Sequence, residues 1–211
     1  TRFSLVTGVQ TCALPISINR EDYITENGGI VIANPNAPTG VMETIENIEY
    51  IVKNNPDSVV IIDEAYVDFG GESCLPLVEK YENLLVVQTY SKSRSMAGMR
   101  IGFAIGSEKL IKYMNDVKFS INSYTMNPIT QLCGAASMAD EEYFRETVDR
   151  IIATRERSKA RLADLGFVFS DSKTNFIFAS PQKVSAQVIF EELKKRNIFV
   201  RYWNKPIICD Y

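Results

Sequence analysis

Lys92 stands in the run Tyr90-Ser91-Lys92-Ser93-Arg94-Ser95-Met96-Ala97-Gly98-Met99-Arg100, which follows the apolar residues 84–87. A strand that ends in hydroxyls, one lysine and then an arginine can hold an anion beside an amine. Upstream of it, Asp63 lies in Ile61-Ile62-Asp63-Glu64-Ala65-Tyr66, also at the end of an apolar run. An amine, a carboxylate, a phenol and a guanidinium, each just past a strand, meet the needs of pyridoxal 5'-phosphate. The lysine would attach to the aldehyde carbon, a carboxylate would face the pyridine nitrogen, and hydroxyls with a guanidinium would hold the phosphate. Of the two adjacent acids Asp63 is the better candidate, because Glu64 points to the other side of the strand. The plain alternatives are a solvated surface lysine and a strand end capped by solvated acids. Three serines with Ala97 and Gly98 make a poor helix and a good tight loop, through which a cofactor could approach the backbone.

The elements that must carry these residues alternate. Residues 30–33, 58–62, 84–88 and 100–105 read as strands, the first three nearly all apolar and so suited to a buried sheet. Between them, residues 42–53 read as a helix with Ile45, Ile48, Ile51 and Val52 on one side. Ser107 caps a further helix to about residue 119. Strands separated by helices predict an α/β fold with a mostly parallel sheet, although the short link from 88 to 100 leaves that pair free to be antiparallel. Asn34-Pro35-Asn36-Ala37-Pro38-Thr39-Gly40 is a turn at a strand end, where ligands bind in open α/β sheets.

After Asn127-Pro128 the texture changes. Residues 129–139 form a small-residue helix and 141–165 a long charged one closed by Gly166. Strands at 167–169, 175–179 and 198–200 with a helix at 184–196 predict a smaller α+β domain. The organisation expected is a large-domain portion at 17–140 and a small C-terminal domain at 141–211.

Composition narrows the function class. A net charge of −3 gives no reason to expect nucleic acid, and no basic run addresses a membrane surface. No apolar segment approaches the length of a membrane span. The absence of histidine excludes ordinary zinc sites and histidine-based triads. Cys12, Cys74, Cys133 and Cys209 are scattered and form no CxxC pair, as expected in a reducing cytoplasm. Residues 1–16 are expected to be non-native, since 6–16 resemble a translated sequencing adapter. Residues 207–211 read as the start of a further strand cut short.

Asn-Pro-Asn-Ala-Pro-Thr-Gly, then Asp-Glu-Ala-Tyr, then Ser-Lys with Ala-Gly-Met-Arg, resemble the core of the fold-type I, class I/II pyridoxal phosphate aminotransferases. Within these, the combination from about residue 17 to 211 is most similar to the histidinol-phosphate aminotransferases. The resemblance implies that Lys92 attaches the cofactor and shuttles a proton, Asp63 pairs with the pyridine nitrogen, and Tyr66 donates to the phenolic oxygen. It assigns the cofactor phosphate to Ser91 and Arg100, with Thr89 a further candidate. The asparagine that contacts the phenolic oxygen in the family falls at Ala37 here. Asn36, one residue earlier, is then a candidate cofactor contact that does not inherit the role by position. Arg201 reads either as a solvated arginine after the strand 198–200 or as the group that binds a substrate phosphate, beside Asn175.

The implied reaction is amino transfer between L-histidinol phosphate, a phosphorylated amino alcohol, and 2-oxoglutarate (giving glutamate), in histidine biosynthesis. The implied assembly is a homodimer of the full-length protein. The resemblance also implies that the chain lacks parts of the site at both ends and is inactive alone. A threonine-phosphate decarboxylase, an aromatic aminotransferase, a non-catalytic regulator and an inactive fragment of the same fold remain open.

Overall fold

The computed structural model describes residues 9–11, 18–206 and 208–211. The expected non-native segment 1–16 lies outside the described residues apart from 9–11. Five strands form the main sheet: β1 (Val9–Thr11), β2 (Gly29–Ala33), β3 (Val60–Asp63), β4 (Leu84–Thr89) and β5 (Gly102–Gly106). They lie side by side in chain order, the first four parallel and β5 antiparallel to β4. The last pair is antiparallel because its connection, residues 90–101, holds only a short turn at Ala97–Met99 and no crossover helix that would carry the chain back to the other end of the sheet.

The core forms because one face of these strands is wholly apolar. Ile30, Ile32, Val60, Ile62, Leu84 and Val86 are all out of water, at alternate positions along three neighbouring strands. Helix α1 (Ile45–Lys53) covers that face with Ile48, Ile51 and Val52, and Cys74 and Leu77 join from the short helix α2 (Leu75–Val78) and its cap. The start of α1 is set by Thr44, whose side chain accepts the Asn47 N–H. Residues 42 and 43 stay outside the helix because Glu43 is held in a reciprocal pair with Asn34. Its N–H donates to Asn34 Oδ1 at 2.8 Å and its carbonyl accepts from Asn34 Nδ2 at 3.2 Å.

Side-chain caps also open α3 (Glu108–Ile121) at Ser107, α4 (Pro128–Ala139) at Asn127 and α5 (Glu141–Asp164) at Asp140. Gly166, at φ +84°, ends the last of these. Beyond it, β6 (Phe167–Phe169) pairs antiparallel with β7 (Ala179–Pro181), and α6 (Ala186–Lys195) follows from a Ser185 cap.

Three expected strands are not formed as expected, each because its backbone is bonded elsewhere. In place of a strand at 175–179, residues 175–178 lie outside the sheet: the Phe176 carbonyl accepts from Ser172 Oγ at 2.7 Å, and its N–H donates to Thr174 Oγ1 at 3.3 Å. Residues 198–200 are not a strand either. The Ile198 N–H donates to the Leu193 carbonyl at 2.9 Å across Asn197, which turns the chain at φ +60°. At the C-terminus residues 208–210 form a turn, with the Tyr211 N–H donating to Ile208 O at 3.3 Å; residue 207 lies outside the described residues.

Candidate active site

The carboxyl ends of β2 and β3 come out level, because Ala33 pairs with Asp63, and β4 runs on past Val87, the partner of Asp63, to Thr89. This register sets the Asn34–Gly40 turn, Asp63 and the Thr89–Ser91 corner along one edge of the sheet, the edge where open α/β sheets take their ligands.

At the end of β3 the two acids separate as the alternation demands. Asp63 is half-buried, and Oδ1 accepts the Ala65 N–H at 3.0 Å, its one hydrogen bond among the described residues. Glu64 turns into the core, 2% exposed. It accepts from Ser73 Oγ at 2.6 Å, the Cys74 N–H at 2.6 Å and Gln88 Nε2 at 2.8 Å. A carboxylate with three donors is satisfied structurally, so Glu64 ties the β3 end to β4 and to the start of α2. Burial, and then the Glu64 charge, push the Cys74 thiol up to about 12.

Lys92 is half-buried, and its side-chain amine makes no ion pair or hydrogen bond among the described residues; Nζ lies 5.0 Å from the centre of the Tyr66 ring. The loop that carries it is anchored on both sides. Ser93, buried, donates to Asp68 two residues past Tyr66. Arg94 donates to the Ser137 carbonyl at 2.6 Å and stacks 4.0 Å over the Phe144 ring. The amine therefore projects from a backbone fixed to two other segments.

A cleft of about 750 Å³ takes in Lys92, Tyr66, Ala37, Arg201 and Trp203 among its walls. Tyr66 meets Phe176 edge-on there, with ring centres 5.2 Å apart. Arg201 is exposed, its guanidinium 5.9 Å from the Trp203 ring centre. The structure thus brings Lys92, Tyr66 and Arg201 to one cleft. Thr89 and Ser91 form their own pair: Thr89 Oγ1 accepts the Ser91 N–H at 3.1 Å and lies 2.9 Å from Ser91 Oγ. Arg100, in the left-handed conformation at φ +56°, is exposed and donates to the Ala97 carbonyl of its own loop at 3.1 Å. Asn36 is buried inside its turn with Nδ2 donating to Thr39 Oγ1 at 2.8 Å, and its Oδ1 has no partner among the described residues. Asn175 is exposed and lines a neighbouring cavity of about 520 Å³ that shares Phe176 and Ile177 with the cleft.

The donor set suits pyridoxal phosphate: an unpaired amine, a carboxylate with an oxygen to spare, a phenol in the amine's cleft, and a hydroxyl pair at the next strand end. Two participants were not legible in the sequence. Phe176 is one apolar residue among many until the fold sets it against Tyr66. Arg155 looks like an ordinary member of a charged helix but is buried, bonded to the carbonyls of Phe69 and Thr174.

The chain spans about half the length of the curated relatives it matches. The histidinol-phosphate aminotransferase of Lactococcus lactis subsp. cremoris is 54% identical over 195 residues, 92% of this chain and 55% of the relative. Among solved structures, the histidinol-phosphate aminotransferase of Clostridium acetobutylicum superposes with a TM-score of 0.79 at 26% identity, over 87% of this chain and 57% of that one. The Sinorhizobium meliloti enzyme, solved in complex with pyridoxal-5'-phosphate, gives 0.77 at 25% identity over 87% and 51%. The fold is therefore that of the fold-type I aminotransferases, present here in part. The model of the aminotransferase class I and II family matches residues 16–208, through the turn, the Asp63 strand and the Lys92 loop, and the chain belongs to that family.

Proposed function

We propose that the whole protein is a pyridoxal phosphate-dependent aminotransferase that moves an amino group between L-histidinol phosphate and 2-oxoglutarate. The observation that carries the reading is the cleft in which the unpaired amine of Lys92 faces Tyr66 and shares its walls with Arg201. The likeness to histidinol-phosphate aminotransferases supports the choice of substrate.

Bound in this cleft, pyridoxal phosphate supplies an electron sink for the substrate carbon that loses its proton. The Lys92 amine would hold the cofactor and, when free of it, carry that proton at Nζ. Asp63 would hold a proton at the pyridine nitrogen of the bound cofactor, since a carboxylate beside it would favour the charged form of the ring. Tyr66 donates to the phenolic oxygen from the same wall. Ser91 and Thr89, at the end of β4, bind the cofactor phosphate, together with Arg100 once its side chain leaves Ala97. Asn36 supports the turn against the cofactor. Arg201 offers a planar fork to the substrate phosphate, and Asn175 contributes from the adjoining wall. Two copies of the whole protein form the working unit, in the cytoplasm.

The test is an assay of the whole protein with histidinol phosphate, phosphothreonine and tyrosine. Histidinol phosphate should be turned over with the highest kcat/KM, and a preference for either rival would redirect the assignment within the fold. Lys92→Ala should abolish turnover and the borohydride-stable attachment of cofactor; attachment at wild-type yield would discard the role of Lys92. Arg201→Gln should raise KM for histidinol phosphate by about tenfold to a hundredfold, the value of one charge-assisted contact, and leave the cofactor spectrum unchanged. An equal loss with unphosphorylated histidinol would make Arg201 structural.

A further inference from the structure

Arg155 sits midway along α5, a helix of 24 residues rich in exposed charge, yet it is only 7% exposed. Its Nη1 donates to the Phe69 carbonyl at 2.7 Å and to the Thr174 carbonyl at 2.9 Å, and its Nε donates to Glu156 Oε1 at 2.8 Å. The two carbonyls belong to segments whose rings meet. Tyr66 lies three residues before Phe69 and Phe176 two residues after Thr174, and these rings make the edge contact at 5.2 Å that walls the cleft. The Tyr66 ring also faces the Lys92 amine, 5.0 Å from its centre.

We propose that Arg155 is a positioning residue, and this rests on the aminotransferase reading of the cleft. Its guanidinium fixes the Tyr66–Phe69 segment against the Thr174–Phe176 segment, and through them holds the Tyr66 hydroxyl at the angle and depth its hydrogen bond to the cofactor requires. Burying the guanidinium costs desolvation that its two carbonyl bonds and the Glu156 pair must offset, so a buried cation is weak evidence of a purely stabilising role. An apolar chain cannot hold two carbonyls from segments far apart in sequence in fixed directions. The planar fork can, and it is mounted on a long helix that also receives Arg94 through Phe144, so the Lys92 loop and Tyr66 are both indexed to α5. The carboxylate of Glu156, beside Arg155, stays half-exposed, which leaves the carbonyls as the directed part of the arrangement.

The experiment is a double-mutant cycle in the whole protein loaded with pyridoxal 5'-phosphate, using Arg155→Met, Tyr66→Phe and the pair. Arg155→Met should lower kcat/KM by about tenfold to a hundredfold, the range for sub-ångström to ångström misplacement of a reacting group. In the Tyr66→Phe background the same change should cost less than about threefold, because residues that act through one another are not additive. The second readout is the pH at which the visible band of the bound cofactor changes: Arg155→Met should displace it when Tyr66 is present and not in Tyr66→Phe. Additive losses, or a lower melting temperature with kcat/KM and the pH midpoint unchanged, would overturn the proposal alone. Failure of the wild-type protein to take up the cofactor would overturn the aminotransferase reading with it. Should Arg155→Met not fold, Arg155→Lys, whose single ammonium reaches fewer acceptors, goes through the same cycle with a smaller coupling of the same sign expected.

Discussion

Between residues 29 and 106 the chain holds itself together by removing whole side chains from water, whereas beyond residue 165 it is held to that first region largely by directed hydrogen bonds. Ile30, Ile62, Leu84 and Val86 are fully buried on one face of the sheet. In the second region Val184, Val188, Ile198, Phe199 and Val200 stand between 45% and 76% exposed, and the buried apolar side chains are confined to Phe178, Ala186 and Ile208 among the described residues, so less apolar burial restrains that backbone. What joins the two is specific: the Lys173 N–H donates to Gly40 O at 2.8 Å, Ser170 Oγ donates to Thr39 O at 2.8 Å, and Arg155 bridges Phe69 and Thr174. The cleft is built across this difference. Lys92 and Tyr66 come from the well-packed side, and Phe176, Arg201 and Trp203 from the side held by polar links. A region with few buried apolar contacts is the one that opens at low cost, so the geometry of the amine is more rigid than that of the substrate's far wall.

The comparison is broken most directly in the core. Ile62→Ala should cost about 2–5 kcal/mol by the rule for buried large-to-small changes, while Val200→Ala should stay within about 0.5 kcal/mol as an exposed substitution. Urea unfolding of the whole protein measures both, and equal losses would show that the second region is packed as tightly as the first.

The junction offers a sharper cut. Gly40 has φ +73°, and a Cβ there would sit 2.6 Å from Ser172 Oγ. Gly40→Ala therefore strains the turn and pushes away the 170–174 loop at a cost of about 1–3 kcal/mol. Amide exchange should quicken at 170–176 and stay slow at 60–63. Uniform quickening would mean that the junction and the core open as one unit.

Acid should give the smallest effect. Lys159 pairs with Glu156 at 2.9 Å and with Asp171 at 2.6 Å, and Asp171 also meets Lys173 at 3.1 Å. Hydrogen bonds from Lys159 first, then from Arg155 and Lys173 respectively, hold both carboxyls below their usual range. A carboxyl lowered in the folded state stabilises it above the unfolded value and loses that contribution as pH falls through the folded one. The link between α5 and the 170–174 loop should thus weaken below about pH 4. Both carboxylates are largely exposed, at 48% and 64%, so the effect should stay under about 1 kcal/mol and shrink in high salt. An unchanged melting temperature from neutral pH down to about pH 3 would remove the pairs from the account.

Much of the first region was legible because its signals are local. The β-branched runs, the Ser107 cap and the opposite faces of Asp63 and Glu64 follow from residue type and a period of two, whereas the helix expected from residue 42 starts only after Thr44 because Asn34 holds Glu43. The strand expected at 198–200 has a strand-like composition, yet the Ile198 N–H is spent closing α6. The strand expected at 175–179 is displaced because Ser172 and Thr174 hydroxyls occupy the backbone of Phe176. Both are competitions for a hydrogen bond that composition does not rank.

By itself, then, the sequence determined the order of strands β2 to β5 and which residue types stand at the strand ends, Lys92, Asp63 and Tyr66 among them. It did so because alternation, capping and turn chemistry act over a few residues. Only the tertiary structure decided that Glu64 is spent on Ser73, Cys74 and Gln88, that Phe176 edges Tyr66, and that Arg155 reaches Phe69, 86 residues away in the chain. Such pairings depend on where distant backbone donors and acceptors come to rest, and no spacing along the chain encodes that.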